Sequence, residues 1–298
     1  MVVLAGSGAG LVDVASGAVR AMAGRDVRAV SGQWAVLDGR EVARRDGEGP
    51  AAGAAASPEG VALTCVAGLA GPGPAALVGS AGAHVYLYRA GGDLEPVASF
   101  EAAEGRPEWY TPWGGPPDVR SASSSLGGTL LVNVHVGGIL RSTDEGASWQ
   151  PTIDIHTDVH QVLALGGGRA VAACAAGLAT SEDDGVTWAI HDEGLHATYA
   201  RAVAVAGATV LMSVSAGPGG QDAAVYRRPL AGGRFERCGG GLPGDLGGNV
   251  DTAWMAGGDD GTAAVATKSG EVFVSYDEGT TWERTGPAVP DLRCLVVG

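Results

Sequence analysis

Lysine is almost missing from this chain. Of its 19 basic residues 18 are arginine, and Lys268 is the only lysine. Against them stand 33 acidic residues, for a formal net charge of −14. That balance excludes a broad nucleic-acid or anionic-lipid surface, which needs a cationic face. Long apolar runs are missing too. No stretch of 18 apolar residues escapes interruption by Gly, Ser or Thr, so no membrane partner is expected. Cysteine is sparse: Cys65, Cys174, Cys238 and Cys294, none in C-x-x-C spacing. Three of them sit in apolar runs (LTCVA, VAACAAG, LRCLVV), which predicts buried free thiols rather than disulfides or a cysteine zinc site. The first residues show no basic segment followed by an apolar core and cleavage site, so a cytoplasmic protein is expected. Abundant Ala, Gly and Arg with so little Lys matches the coding bias of a GC-rich bacterial genome.

What is present is glycine, with 51 residues, beside 15 prolines and a 45% apolar content. That much apolar side chain argues for a folded core, and no G-X-Y period exists, so neither disorder nor collagen fits. The glycines punctuate a repeat. The pattern S-x-D-x-G-x-[ST]-W occurs at residues 142–149, 181–188 and 275–282. Asp144 and Asp183 are 39 residues apart, and Asp183 and Asp277 are 94 apart, twice 47. A decayed unit therefore belongs in the second interval. VYRRPLAGGRFERC (225–238) fits, with Phe235 near the Trp position, and VYLYRAGGDLEPV (85–97) is a second decayed copy.

Short alternating apolar runs precede each motif, such as DVRSASSS, TLLVNVHVGG and ILRS. Period-2 runs bounded by Gly are strands. Each unit is thus four strands in about 40 residues, the size of a propeller blade. Six units start near Asp26, Glu59, Asp118, Asp158, Tyr199 and Asn249. The leftover ends, MVVLAGSGAGLVDVAS and DLRCLVVG, complete a seventh by pairing with each other. The expectation is an all-β, seven-bladed β-propeller with four-stranded blades, one domain over residues 1–298, its last blade closed by the N- and C-terminal strands.

The three motifs resemble Asp boxes, the BNR repeat of the sialidase-like propeller superfamily. The resemblance implies that each motif is a turn between a blade's third and fourth strands, on the face opposite the usual ligand site. It makes Asp144, Asp183 and Asp277 structural: the Asp caps turn amides, the Gly takes a positive φ, and the Trp packs into the blade. It does not imply sialidase activity. The Arg-Ile-Pro segment of sialidases does not occur here, and sialidases have six blades. The superfamily includes glycosidases, sorting receptors and a photosystem assembly factor, so the fold leaves the function open.

Aligning the repeats places one residue per blade at the start of the innermost strand. The triplets begin at Asp26, Asp118, Asp158, Tyr199, Asn249 and Asp291, and their third members are Arg28, Arg120, His160, Arg201, Asp251 and Arg293. The remaining blade offers Val61 or Ala62. Rotation about the propeller axis turns these positions into a ring at the mouth of the central channel. Four arginines in an acidic protein read in two ways. One is a funnel for an anionic small molecule, since Arg pairs bidentately with carboxylate and phosphate. The other is a ring of salt bridges to the preceding acids and to Asp251.

The longest connection, residues 101–119, carries Trp109, Tyr110 and Trp113 among prolines, with Glu108 as its acid candidate. Such a loop walls or lids a pocket, or packs over a blade edge. His135 and Lys268 align on the motif serine and are expected near the same mouth, Lys268 equally as a solvated turn lysine. His156, Asp158 and His160 are spaced two apart, which in an extended segment puts them on one face. With His135 or His196 they suit a divalent metal. His160 or His135 is then the general-base or ligand candidate, and Arg28, Arg120, Arg201, Arg293, Asp251, Lys268 and the loop aromatics bind the ligand. The leading expectation is an axial anion site, with a metal-assisted or His-assisted enzyme among its forms. The alternatives are a noncatalytic protein-binding scaffold and a glycoside hydrolase using two of Glu108, Asp158, Asp222 and Asp251.

Overall fold

The computed structural model describes residues 1–45, 54–71 and 73–298. The chain is a seven-bladed β-propeller of four-stranded antiparallel sheets. Six blades follow in chain order, with inner strands Val27–Ser31, Leu63–Leu69, Val119–Ser124, Val159–Gly166, Tyr199–Ala206 and Met255–Gly257. The closing blade orders Cys294–Val297, Val3–Ser7, Gly10–Asp13 and Val19–Ala21. Its register sets Val3 against Val297 and Gly6 against Cys294, so the two chain ends do pair. No described helix is long and apolar enough to cross a membrane.

The chain gathers into two compact units. The first comprises Met1–Asp26, Ala173–Leu178 and Ile190–Gly298, the second Val27–Ala172 and Ala179–Ala189. In the first, Ala204, Leu211, Val225, Val265, Phe273 and Trp282 pack one core. In the second, Phe100 joins Trp109 and Trp149 in a core with Val132 and Leu140. The reason is the nearly continuous apolar sequence of the middle strands. Strands such as Thr209–Ser215 and Ala263–Ala266 are buried on both faces, as blades stacked between neighbours require.

The repeated motif forms the same turn three times, between third and fourth strands. Ser142 Oγ donates to Asp144 Oδ1 and accepts from the Gly146 amide. Asp144 accepts the amide and hydroxyl of Ser148 at 2.9 and 2.6 Å. Asp183 and Asp277 repeat both bonds with Thr187 and Thr281. Gly146, Gly185 and Gly279 hold φ near +80° (86°, 83° and 79°), and the acid before each is left-handed too: Glu145, Asp184 and Glu278 at 57°, 59° and 57°. Two left-handed residues in succession make the turn sharp enough to return the chain under its own serine. Trp149 and Trp282 then donate Nε1 to the carbonyl of their own motif glycine. Trp188 instead reaches Thr152 Oγ1 of the preceding blade.

The decayed motif at 225–238 shows what fills the turn when the pattern fails. Arg228 stands where the motif has its serine and Leu230 where it has its aspartate. The Arg228 side chain is buried, its Nε and Nη1 make no hydrogen bond, and its guanidinium lies 5.6 Å from the Phe235 ring.

The middle residue of every strand-entry triplet is buried: Val27, Val119, Val159, Ala200, Val250 and Leu292. The third residue sits in a β-bulge in several blades. Register shifts fall between Val27 and Ala29, Leu63 and Cys65, Val119 and Ser121, and Ala200 and Val203. A bulge leaves its extra residue outside the ladder and re-aims the side chain. Two expectations need correcting. In the second blade the bulged residue is Thr64, not Val61 or Ala62, and its hydroxyl donates to the Val119 carbonyl. In the sixth blade the strand starts only at Met255, after a turn in which Ala253 has φ of 64°.

Candidate functional site

In the second unit, residues from three elements meet at the strand-entry end of the third and fourth blades. Strand Leu130–Val134 ends one residue before His135. Strand Val119–Ser124 presents the bulged Arg120. The entry to strand Val159–Gly166 supplies Asp158 and His160. A single 3₁₀ turn, Ile155–Thr157, leads into that strand. Asp154 caps it by accepting from the His156 amide, and Asp158 ends it in the left-handed conformation at φ 51°. Asp tolerates that conformation better than most residues, at a cost of about 1–2 kcal/mol. The reversal of the chain there sets the Asp158 carboxylate back beside the His160 ring.

Asp158 lies between two imidazoles. Its Oδ2 is 3.4 Å from His160 Nε2 and its Oδ1 is 3.8 Å from His135 Nε2. One donor atom from each residue lies within 4.8 Å of the others. His160 is fully buried, His135 nearly so, and Asp158 is half-buried. Asp158 Oδ1 is buried and makes no hydrogen bond. The His160 ring, 3.4 Å away, holds the Asp158 carboxyl below its ordinary range against the opposing effect of burial, and His135 and Arg120 add to the effect. The two histidine rings are 6.1 Å apart, and Trp113 meets His135 edge-on at 4.8 Å. Trp113 is 71% exposed, so an indole flanks the cluster from the solvent side.

Neighbouring strands fix the cluster. The Asn133 amide donates to the Val159 carbonyl at 2.9 Å, pinning the residue between Asp158 and His160. Ser121 and Ser123 accept from the amides of Val162 and Ala164. These serines come from the run DVRSASSS, a polar stripe whose meaning the strand pattern alone does not reveal.

The remaining expected residues are placed as follows. His156 is exposed on the 3₁₀ turn and stands outside the cluster, because the segment is not extended as the two-residue spacing presumed. Arg28 is exposed and lies against Gly39. Trp109 is buried, 5.7 Å from Phe100 and 5.0 Å from the Arg106 guanidinium, so it anchors its loop instead of facing a ligand. Tyr110 is exposed, and Glu108 ends an exposed 3₁₀ turn, Arg106–Glu108. In the first unit Arg201 pairs with Asp251 at 3.5 Å and Arg293 with Asp26 at 3.1 Å. At those two positions the arginines form inter-blade ion pairs. Both ring nitrogens of His196 are engaged, by the Tyr226 hydroxyl and the Asp222 carbonyl, each at 2.9 Å. Lys268 is exposed in a turn two residues longer than the one carrying His135. Thr267, not Lys268, is the residue that directly follows its strand as His135 does.

No family model and no curated protein matches the sequence. Solved structures do. The chain is similar to YCF48 from Cyanidioschyzon merolae, 16% identical over 84% of this chain and 80% of that one, with a TM-score of 0.55. It is similar to YCF48 bound to D1 peptide, 16% identical over 76% and 69%, with a TM-score of 0.50. It is also similar to an ancestral GH74 enzyme, 14% identical with a TM-score of 0.61, over 95% of this chain but 40% of the enzyme. At such identities the likeness is one of propeller fold.

Proposed function

We propose that this Asp-box propeller binds an anionic small molecule, a carboxylate or a phosphate, where Arg120, His135, Asp158 and His160 converge under Trp113. The observation that carries the reading is the meeting of an arginine and two buried imidazoles around a half-buried carboxylate beside an exposed indole. A carboxylate perturbed by specific charged neighbours is a candidate functional group. Arg120 supplies the anion contact, and His135 and His160 supply the imidazoles that flank it. The ion pairs of Arg201 and Arg293 narrow the site to the second unit. The four free, buried cysteines support a reducing, cytoplasmic setting.

The test is titration of the full chain with succinate, pyruvate and a sugar phosphate, followed by calorimetry and tryptophan emission. One ligand per chain, an emission change lost in Trp113→Phe, and at least tenfold weaker binding in Arg120→Ala are expected. A folded protein that binds none of these anions, or an Arg120→Ala variant that binds them unchanged, defeats the reading.

A second reading, a noncatalytic protein-binding scaffold, is favoured by the likeness to a YCF48 bound to a peptide. Recovery of a stoichiometric protein partner whose binding ignores Arg120 and Trp113 selects it. A glycoside hydrolase needs two facing carboxylates, and the cluster holds one, Asp158.

A further inference from the structure

We propose that His135 Nε2, His160 Nε2 and the Asp158 carboxylate bind a divalent transition-metal ion, with at least one coordination position left for the anion that Arg120 also contacts. The assignment deepens the site proposed above and rests on it for the identity of the outer ligand only.

The distances decide between an ion site and a plain hydrogen-bonded cluster. A charge-assisted N–H···O bond is about 2.7–2.9 Å. Donor atoms sharing a tetrahedral zinc ion, each about 2.0–2.1 Å from it, are about 3.3–3.4 Å apart. Here Asp158 Oδ2 stands 3.4 Å from His160 Nε2 and Oδ1 stands 3.8 Å from His135 Nε2, with one donor atom of each residue within 4.8 Å of the others: wide for direct bonds, and near enough for small side-chain shifts to close them around one ion. The Asp158 oxygen facing His135 is buried without a hydrogen bond, a vacancy in its polar contacts that a cation fills. Two imidazoles and one carboxylate suit Zn, Fe, Mn, Ni or Cu, and three protein ligands leave an open position.

The surroundings are those of a supported ligand set. Asn133 holds the backbone between two of the ligands, and Asp154 caps the turn that precedes them. A divalent ion adds two positive charges beside Arg120 and strengthens the pull on an anion.

The experiment uses the full chain stripped with EDTA. Zinc is titrated by calorimetry, cobalt(II) is added for its visible spectrum, and succinate is titrated with zinc and with EDTA. Expected are one zinc per chain, the absorption of four- or five-coordinate cobalt, and at least tenfold weaker zinc binding in Asp158→Asn and His135→Gln. His156→Ala, outside the cluster, binds as the parent does. Cobalt also quenches an emission component that Trp113→Phe lacks, a readout that needs no ligand variant to fold. A folded parent that takes up neither ion, or ligand variants that bind zinc unchanged, overturns the proposal. Succinate binding of equal strength in EDTA also overturns it while leaving the anion site standing. Zinc uptake without succinate binding upholds the metal site and removes the anion reading.

Discussion

Replacing Arg228 by methionine should stabilise the protein. Arg228 is only 7% exposed, and its Nε and Nη1 donors are buried without hydrogen bonds. Burial pushes the guanidinium below its ordinary range, with Glu193 opposing the shift. Each unsatisfied buried donor costs about 1–3 kcal/mol. Against this, the cation–π contact with Phe235 at 5.6 Å contributes about 0.5–2 kcal/mol. A methionine sulfur at the same ring recovers about 0.3–1.5 kcal/mol of that, and its unbranched chain occupies most of the arginine stem's volume. The net expectation is a gain of about 1–3 kcal/mol. At about 2.1 cal/mol/K of unfolding entropy per residue, 1 kcal/mol moves the melting temperature of this chain by about 1.6 °C, so the rise should be about 2–5 °C. Urea unfolding of parent and Arg228→Met, with the slope against urea checked for constancy, measures the gain directly. A loss of more than about 1 kcal/mol would refute the reasoning, because it would mean the guanidinium is well partnered.

The motif tryptophans are not equivalent. Trp282→Ala should cost about 3–5 kcal/mol, since its ring is buried in a blade core, whereas the half-buried Trp188 should cost clearly less; equal losses in urea unfolding would contradict the difference in packing. Acid sensitivity should follow the motif aspartates. Hydrogen bonds from Ser148, Thr187 and Thr281 hold Asp144, Asp183 and Asp277 at about 2, below the ordinary 3.8. A folded-state value below the unfolded one gives stability that is complete above the ordinary value and lost as pH falls toward about 2. Thr281→Val should flatten that acid limb, and an unchanged pH profile would assign the acid loss to other groups.

Much of the fold was legible because each blade repeats a physical requirement. The triplets starting at Asp26, Asp118 and Asp158 mark true strand entries, since a buried valine follows the acid in each. The site was less legible. The two-residue spacing grouped His156 with Asp158 and His160, whereas the fold brings Asp158 and His160 together with His135. The Asp154 cap and the left-handed Asp158 break the extended run, and Asp-x-His at 154–156 was the available sign of a turn. The choice of His135 over His196 needed tertiary information, because its link to Asp158 spans two blades. Trp109 packs in the core with Phe100, and a core aromatic and a lid aromatic look alike in a proline-rich loop. In the second blade the acid, Glu59, stands four residues before the strand start at Leu63 instead of next to it, so the bulge at Thr64 went unmarked.

The closing blade has a consequence for how the molecule is made. Strand Val3–Ser7 pairs on one side with Gly10–Asp13, a neighbour in sequence, and on the other with Cys294–Val297. During vectorial synthesis the first hairpin emerges early and must wait for nearly the whole chain before its second partner exists. Until then Val3–Ser7 is an open, mostly apolar sheet edge of the kind that recruits foreign strands. A nascent chain stalled or truncated before Cys294 is therefore a sticky species, and its solubility should depend on how quickly the last strand arrives.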